Sequence, residues 1–301
     1  MRSLIIIVFA IMLTTCVSNS DSKIKEITFA AIPSDDMAQT AKYTENFSKY
    51  LEKELGVKVK HFIATDYTAV IEAMRANKCQ ICILGPFSYI LASQNSGAEA
   101  IACMGLKSGG MYSYKSLLIT TKKTGLRNMD DVKKNASHLR LAFTDPASTS
   151  GHLVPRGYLT SIGLDPDQSF ASVSFASSHA ASLLSVYSEN IDICAAGSQH
   201  FKRLLTKNEL DTSRFVILWT SKPMLTDPVC VKNSLPIEFK EKIQKAIIDM
   251  PTNDSATFNH YVKYTFKGDK MCDSLIFRAI NDSAYNSLRV IARTVKSLNI
   301  K

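Results

Sequence analysis

Strand-like and helix-like patterns alternate along almost the whole chain, in two successive series. In the first, residues 24–32 read as a strand and 37–55 as a helix. Tyr43, Phe47, Tyr50, Leu51 and Leu55 recur there at helical spacing, and Gly56 stands where a helix stops. Residues 57–63 alternate like a strand, and Thr65 is placed to cap a helix over 67–76. Residues 79–84 form a strand, a helix follows Gly85-Pro86, and 114–121 form a longer strand. In the second series, 139–144 read as a strand and 151–162 as a helix closed by Gly163. A helix over 179–188 follows Ser178, with strands at 191–195 and 215–220. The C-terminal third reads as helical, at 236–250 and 283–297. Such alternation restricts the chain to open, mostly parallel α/β sheets. Two series predict two lobes: residues 24–120 with 225–301, and residues 121–224. The crossings fall near 118–122 and 220–226.

The N-terminus departs from this pattern. Arg2 precedes an unbroken apolar run from Leu4 to Leu13. Ten residues are too short to cross a bilayer, which takes about 20 in a helix, but they suit the apolar core of an export signal. Leu13-Thr14-Thr15-Cys16 follows and resembles a bacterial lipobox, whose cysteine is lipidated and becomes the new N-terminus. Thr15 departs from the small residue that pattern prefers. Residues 1–16 are thus expected to be a signal peptide, 17–23 a tether, and the mature chain an exported one anchored through Cys16. Cleavage nearby with loss of Cys16 is the plainer alternative.

Beyond Cys16 there are Cys79, Cys82, Cys103, Cys194, Cys230 and Cys272. An oxidising compartment allows pairing, and six thiols allow 15 connectivities. Cys79-Gln-Ile-Cys82 has redox or zinc spacing, yet it lies in a strand-like run and no second pair accompanies it, so buried thiols are expected and no metal site. The net charge is +9. The lysines are scattered rather than clustered, which argues against nucleic acid.

The stretch from Thr144 to Pro155 (TDPASTSGHLVP) carries the most chemistry. A strand ends, a loop rich in hydroxyls follows, and a helix begins. Open α/β sheets bind ligands beyond the carboxyl ends of their strands. A helix start offers unpaired N–H groups and a partial positive charge. Ser148, Thr149 and Ser150 add hydroxyl donors, and Gly151 admits a close backbone approach. An ordinary capped helix after a polar turn has the same composition.

Phe143-Thr-Asp-Pro-Ala-Ser-Thr-Ser-Gly-His-Leu-Val-Pro resembles the signature of the phosphonate- and phosphite-binding proteins of ABC importers. Thr65-Asp-Tyr-Thr-Ala-Val-Ile-Glu-Ala-Met-Arg, Gly85-Pro-Phe-Ser-Tyr-Ile-Leu-Ala, Ser177-Ser-His, Ile191-Asp-Ile and Trp219-Thr-Ser with Thr226-Asp-Pro extend the resemblance over residues 25 to 295. It implies a two-lobed type II periplasmic binding fold, with two crossover strands and a cleft between the lobes. It further implies an oxyanion cradle at Ser148, Thr149 and Ser150, with Tyr67, Tyr114, His179 and Asp227 around the ligand. Tyr112 competes with Tyr114 two residues away, and Tyr89 lines the cleft or simply packs. Without the resemblance, Tyr67 reads as a half-buried helix residue, His179 as structural and Asp227 as a turn residue. Relatives that bind aminoethylphosphonate place a glutamate just past the strand matching 191–193. Here that stretch reads Ala195-Ala-Gly-Ser-Gln-His, with Gln199 the nearest match.

No nucleophile elbow, P-loop or His-Glu-x-x-His pattern occurs. The expectation is a monomeric binding protein without enzymatic activity or cofactor. It captures a small phosphorus oxyanion (phosphonate, phosphite or phosphate) and delivers it to an ABC permease. The second reading is a stand-alone ligand-sensing adaptor for a membrane sensor kinase.

Overall fold

A computed structural model describes residues 24–206 and 210–295. The expected signal, lipobox and tether, with Cys16, lie outside the described residues. Among the described residues no helix is long and apolar enough to cross a membrane.

The strands in chain order are β1 (Glu26–Ala31), β2 (Lys58–Ile63), β3 (Ile81–Ile83), β4 (Ala98–Leu106), β5 (Ser113–Tyr114), β6 (Ser116–Thr121) and β7 (Arg140–Phe143). There follow β8 (Ser172–Phe175), β9 (Ile193–Gly197), β10 (Phe215–Thr220), β11 (Met224–Leu225), β12 (Val229–Lys232) and β13 (Leu275–Ala279). They form a six-stranded sheet of order β13-β4-β12-β3-β1-β2 and a five-stranded sheet of order β10-β6-β9-β7-β8. A short antiparallel pair, β11-β5, joins the two connecting segments.

Each sheet is mixed rather than mostly parallel. β1 runs parallel to β2 and β3, but the returning strand β12 is antiparallel to both β3 and β4. In the second sheet β7 is parallel to β8 and β9, while β6 and β10 run antiparallel. A chain that enters and leaves a lobe along the same edge lays down antiparallel strands there, a consequence of connectivity that alternation alone does not reveal. The first change of sheet comes before Ser116, because Ser116–Thr121 already pairs with β9. The C-terminal third is also not all helix, since it contributes β12 and β13 to the first sheet.

Helices cover both sheets. Met37–Leu55 is capped by Asp36, whose carboxylate accepts from Gln39 N–H, and ends on Gly56 at φ 68°. Its apolar stripe packs Phe47 on Phe29, with ring centroids 5.3 Å apart. Separate apolar clusters lie on the two faces of each sheet. The C-terminal helix Asn286–Thr294 spans the lobes: it packs on the helix Pro86–Asn95 of one and on Val154–Ser161 of the other. A Cβ on Gly157 would lie 2.9 Å from Ile291 Cγ2, so glycine lets the two helices approach. The thiols of Cys79, Cys82, Cys103, Cys194 and Cys230 are buried and free, and Cys272 is half-buried.

Candidate functional site

The topology gathers strand carboxyl ends and helix starts at one place between the lobes. Ile32 follows β1, Gly85 follows β3, Thr144 follows β7, and Gly197 ends β9. Helices Tyr67–Arg75, Pro86–Asn95, His179–Tyr187 and Ser198–Leu205 all begin here, as does the wide turn Thr149–Leu153 that leads into Val154–Ser161. Five helix starts therefore converge, each bringing the positive end of its dipole. Between them is a narrow cavity.

Seven of the eight expected ligand residues line it: Tyr67, Tyr114, Ser148, Thr149, Ser150, His179 and Asp227. All but Asp227 are buried, and Asp227 is partly so. Gly151 is the exception. It sits behind the cradle, where a Cβ would lie 2.2 Å from Thr144 Oγ1. Its role is to let the turn close on Thr144, whose N–H donates to its carbonyl at 2.9 Å.

The hydroxyls of the cradle are oriented by what they accept. Ser148 Oγ accepts from Gly151 N–H at 3.1 Å. Thr149 Oγ1 accepts from Phe87 N–H, across the lobes, at 2.8 Å. A hydroxyl that accepts still has its proton to donate, so both remain able to donate. Ser88 Oγ donates back to Ala147 O at 2.8 Å, which ties the lobes beside the cradle. Behind it, His152 Nδ1–H donates to Pro146 O at 2.7 Å, and Arg156 Nε–H donates to His152 Nε2 at 2.9 Å. Arg156 is itself held by both oxygens of Asp167. Burial pushes His152 down to about 4, so its ring is neutral and can make both contacts.

His179 begins a helix capped by Ser178, whose hydroxyl accepts from Ala181 N–H. Its backbone N–H donates to Ser34 O of the other lobe at 2.9 Å. Gly197 N–H donates to its Nδ1 at 3.2 Å, so the ring proton belongs on Nε2. Burial first, and the neighbouring His200 second, hold His179 well below the ordinary histidine range. The ring is thus a neutral donor. The Tyr67 phenol lies beside Ser148, and that of Tyr114 beside Ser150 and Thr149; burial raises both, so they too stay protonated donors. Tyr112 is turned away, its hydroxyl 2.5 Å from Asp269. Tyr89 does not reach the cavity either. It packs on Tyr285 and donates to Asp282 at 2.5 Å.

Asp227 differs from the rest. Burial pushes its carboxyl up to about 6, against a smaller opposing pull from His200, and no hydrogen bond reaches it among the described residues. Among the described residues no lysine or arginine lines the cavity. The lining also includes Ser34, Gln199 and His200, which sequence reasoning did not place there. His200 stacks on His179 at 3.9 Å and contacts Asp35, and the Arg203 guanidinium pairs with Asp35. Arg203 Nη1–H also donates to Tyr264 O and Thr265 O. Residues 35 and 200 are remote in the chain, and no local pattern marks their meeting.

Comparison with known proteins fits this geometry. Residues 29–267 match the family model described as the periplasmic phosphonate substrate-binding protein of ABC transporters. The chain belongs to that family. These are substrate-binding components and not enzymes. The chain is 26% identical over 226 residues to the phosphonates-binding periplasmic protein of Escherichia coli, covering 75% of this chain and 66% of that one. It is 28% identical to a phosphate-import protein of Mycolicibacterium smegmatis, over 72% of this chain and 70% of that one. A crystal structure of a phosphonate transporter binding component from Pseudomonas aeruginosa superposes with TM-score 0.77 at 27% identity, covering 89% of this chain and 85% of that one. The family fold is thus type II periplasmic binding, two lobes with a cleft between them.

Proposed function

We propose that this protein captures a small phosphorus oxyanion in the interlobe cavity and delivers it to an ABC permease. The observation that carries the reading is the convergence of five helix starts and neutral hydroxyl, phenol and imidazole donors on one cavity with no cationic lining. An oxyanion is stabilised there by hydrogen bonds and dipoles without a full countercharge. Ser148, Thr149 and Ser150 donate from one lobe, Tyr67 from the other and Tyr114 from the connecting strand, while His179 donates through Nε2. Gly151 shapes the turn that presents the cradle.

Asp227 restricts the ligand. A carboxylate beside an oxyanion repels it unless a proton lies between them. A singly protonated phosphonate, phosphite or phosphate supplies that proton near neutral pH, and sulfate does not. The stretch from Ala195 to His200 holds no carboxylate for an ammonium group, and the cavity is narrow, so the preferred ligand has a short uncharged tail. A thermal-shift series with phosphate, phosphite, methylphosphonate, aminoethylphosphonate and sulfate tests the reading. A ligand at 100-fold excess over its Kd adds about 2.7 kcal/mol of stability, and no shift with any phosphorus oxyanion would refute it.

The lobes close as a hinge at the two connecting segments. The chain acts as a monomer, exported and tethered outside the cytoplasmic membrane through lipidated Cys16. Fatty-acid labelling should mark the wild type and not Cys16→Ser. Labelling of both, or of neither, would overturn the tether.

A further inference from the structure

Arg203 stands near the end of the helix Ser198–Leu205, in the second lobe, and lines a separate hollow outside the ligand cavity together with Asp35 and Tyr264. Its partners lie across the cleft, in the first lobe. The guanidinium pairs with Asp35, in the turn after β1. Nη1–H donates to Tyr264 O at 2.8 Å and to Thr265 O at 3.1 Å, and the guanidinium carbon stands 5.0 Å from the centre of the Tyr264 ring. Tyr264 and Thr265 end the helix Ser255–Thr265, and the last carbonyls of a helix have no donor within it. Within its own lobe, Arg203 Nη2 lies 3.0 Å from His200 Nδ1, one turn back. The turn that carries Asp35 is itself held by Tyr264, whose hydroxyl accepts from Asp36 N–H and donates to Asp36 O, both at 3.3 Å. A Cβ on Gly268 would lie 2.8 Å from Lys202 O, so glycine lets the two lobes meet closely here. The Arg203 and Asp35 side chains are only 12% and 7% exposed. Removing one member of so sheltered a pair leaves the other charge without its partner, a penalty that opening the cleft to water relieves.

We propose that Arg203 is a latch between the lobes: by pairing with Asp35 and capping the helix Ser255–Thr265 it favours the closed arrangement, and so raises the affinity for every ligand by one factor while touching none of them. This rests on the reading of the protein as one that closes around a phosphorus oxyanion. Arg203 is a positioning residue. Affinity is the product of capture by the open cleft and closure over the ligand. A contact made between the lobes alone multiplies the closure constant equally for all ligands, whereas a group that touches the ligand separates one from another. The cradle and Asp227 thus set which anion is held, and Arg203 sets how firmly the lobes stay shut on it.

The test uses the purified chain, calorimetry with methylphosphonate and phosphate at pH 7, and amide hydrogen exchange of the chain saturated with methylphosphonate. Phe87 N–H and His179 N–H, each of which donates to the other lobe, report on closure, and strand amides of both sheets serve as controls. In Arg203→Met, both ligands should bind about tenfold more weakly with their ratio unchanged. The two reporter amides should exchange about tenfold faster while the control amides keep their rates. Arg203→Lys keeps the charge but lacks the planar fork that reaches a carboxylate and two carbonyls at once, so its losses should fall between wild type and Arg203→Met. Asp35→Asn joined to Arg203→Met should cost less than the product of the two single losses. The inference is overturned if Arg203→Met shifts the ratio of the two ligands, or if the control amides accelerate along with the reporters, which would make Arg203 a support of the whole fold. If the wild type binds no phosphorus oxyanion at all, the reading of the site fails and this inference with it. Binding that is intact but insensitive to Arg203 sinks the inference alone.

Discussion

Residues 143–156 supply the cradle hydroxyls, the glycine that lets the turn close, and the His152–Arg156 brace behind it. The rest of the lining draws on Ser34, Tyr67, Tyr114, His179, Gln199, His200 and Asp227, which lie far apart in sequence. The first region is contiguous, offers neutral donors, and is held by hydrogen bonds within it and by others from Phe87, Ser88 and Ser116. The second is assembled only when the lobes meet, and it contains a carboxylate, Asp227, and a buried amide oxygen without a hydrogen-bond partner among the described residues, Gln199 Oε1. A contiguous donor loop attracts anions in general. On the proposed function, the acceptors brought in from remote segments allow one anion to be told from another.

Substitution within the cradle should have the largest effect. Ser148→Ala combined with Thr149→Ala removes two hydroxyl donors and should weaken phosphonate or phosphate binding by about 1.5–3 kcal/mol per charge-assisted bond lost. Ser148 also caps the turn, so ligand-free stability should fall by about 1 kcal/mol. Calorimetry and urea denaturation separate the two losses. Unchanged affinity would move the anion elsewhere and erase the contrast between the regions.

A smaller and opposite effect is expected at Asp227. Its folded-state pKa, about 6, lies above the unfolded value. The cost of its charge is therefore absent below the unfolded value and develops as pH rises through about 6. Asp227→Asn should raise ligand-free stability at pH 7.5 by roughly 1–3 kcal/mol and leave it unchanged at pH 3. It should also relax the rejection of sulfate. Equal urea midpoints at pH 7.5, or sulfate still rejected by the variant, would mean that Asp227 does not discriminate.

The same division explains what the sequence made legible. The α/β alternation, the two lobes and the helices Met37–Leu55 and His179–Tyr187 follow from periodicity and caps, which are local. The antiparallel return strands β12 and β13 do not, because pairing direction depends on where the chain re-enters a sheet. The cradle could be read because its donors are adjacent. Tyr114 could be named only beside its rival Tyr112, and it is the fold that turns Tyr112 to Asp269. The contact of Asp35 with His200 joins residues 165 positions apart, and nothing in either segment anticipates it. Gln199 drew notice only as a missing carboxylate, although its buried unpaired oxygen makes it part of the lining.

The most direct measurement of the central claim is calorimetric titration of the purified wild-type chain, at one pH near 7, with methylphosphonate, phosphite, phosphate, aminoethylphosphonate and sulfate. The account predicts one site per chain, filled by at least one of the first three, with aminoethylphosphonate weaker and sulfate unbound. Sulfate bound as tightly as the best phosphorus oxyanion, or aminoethylphosphonate bound more tightly than methylphosphonate and phosphite, would contradict it.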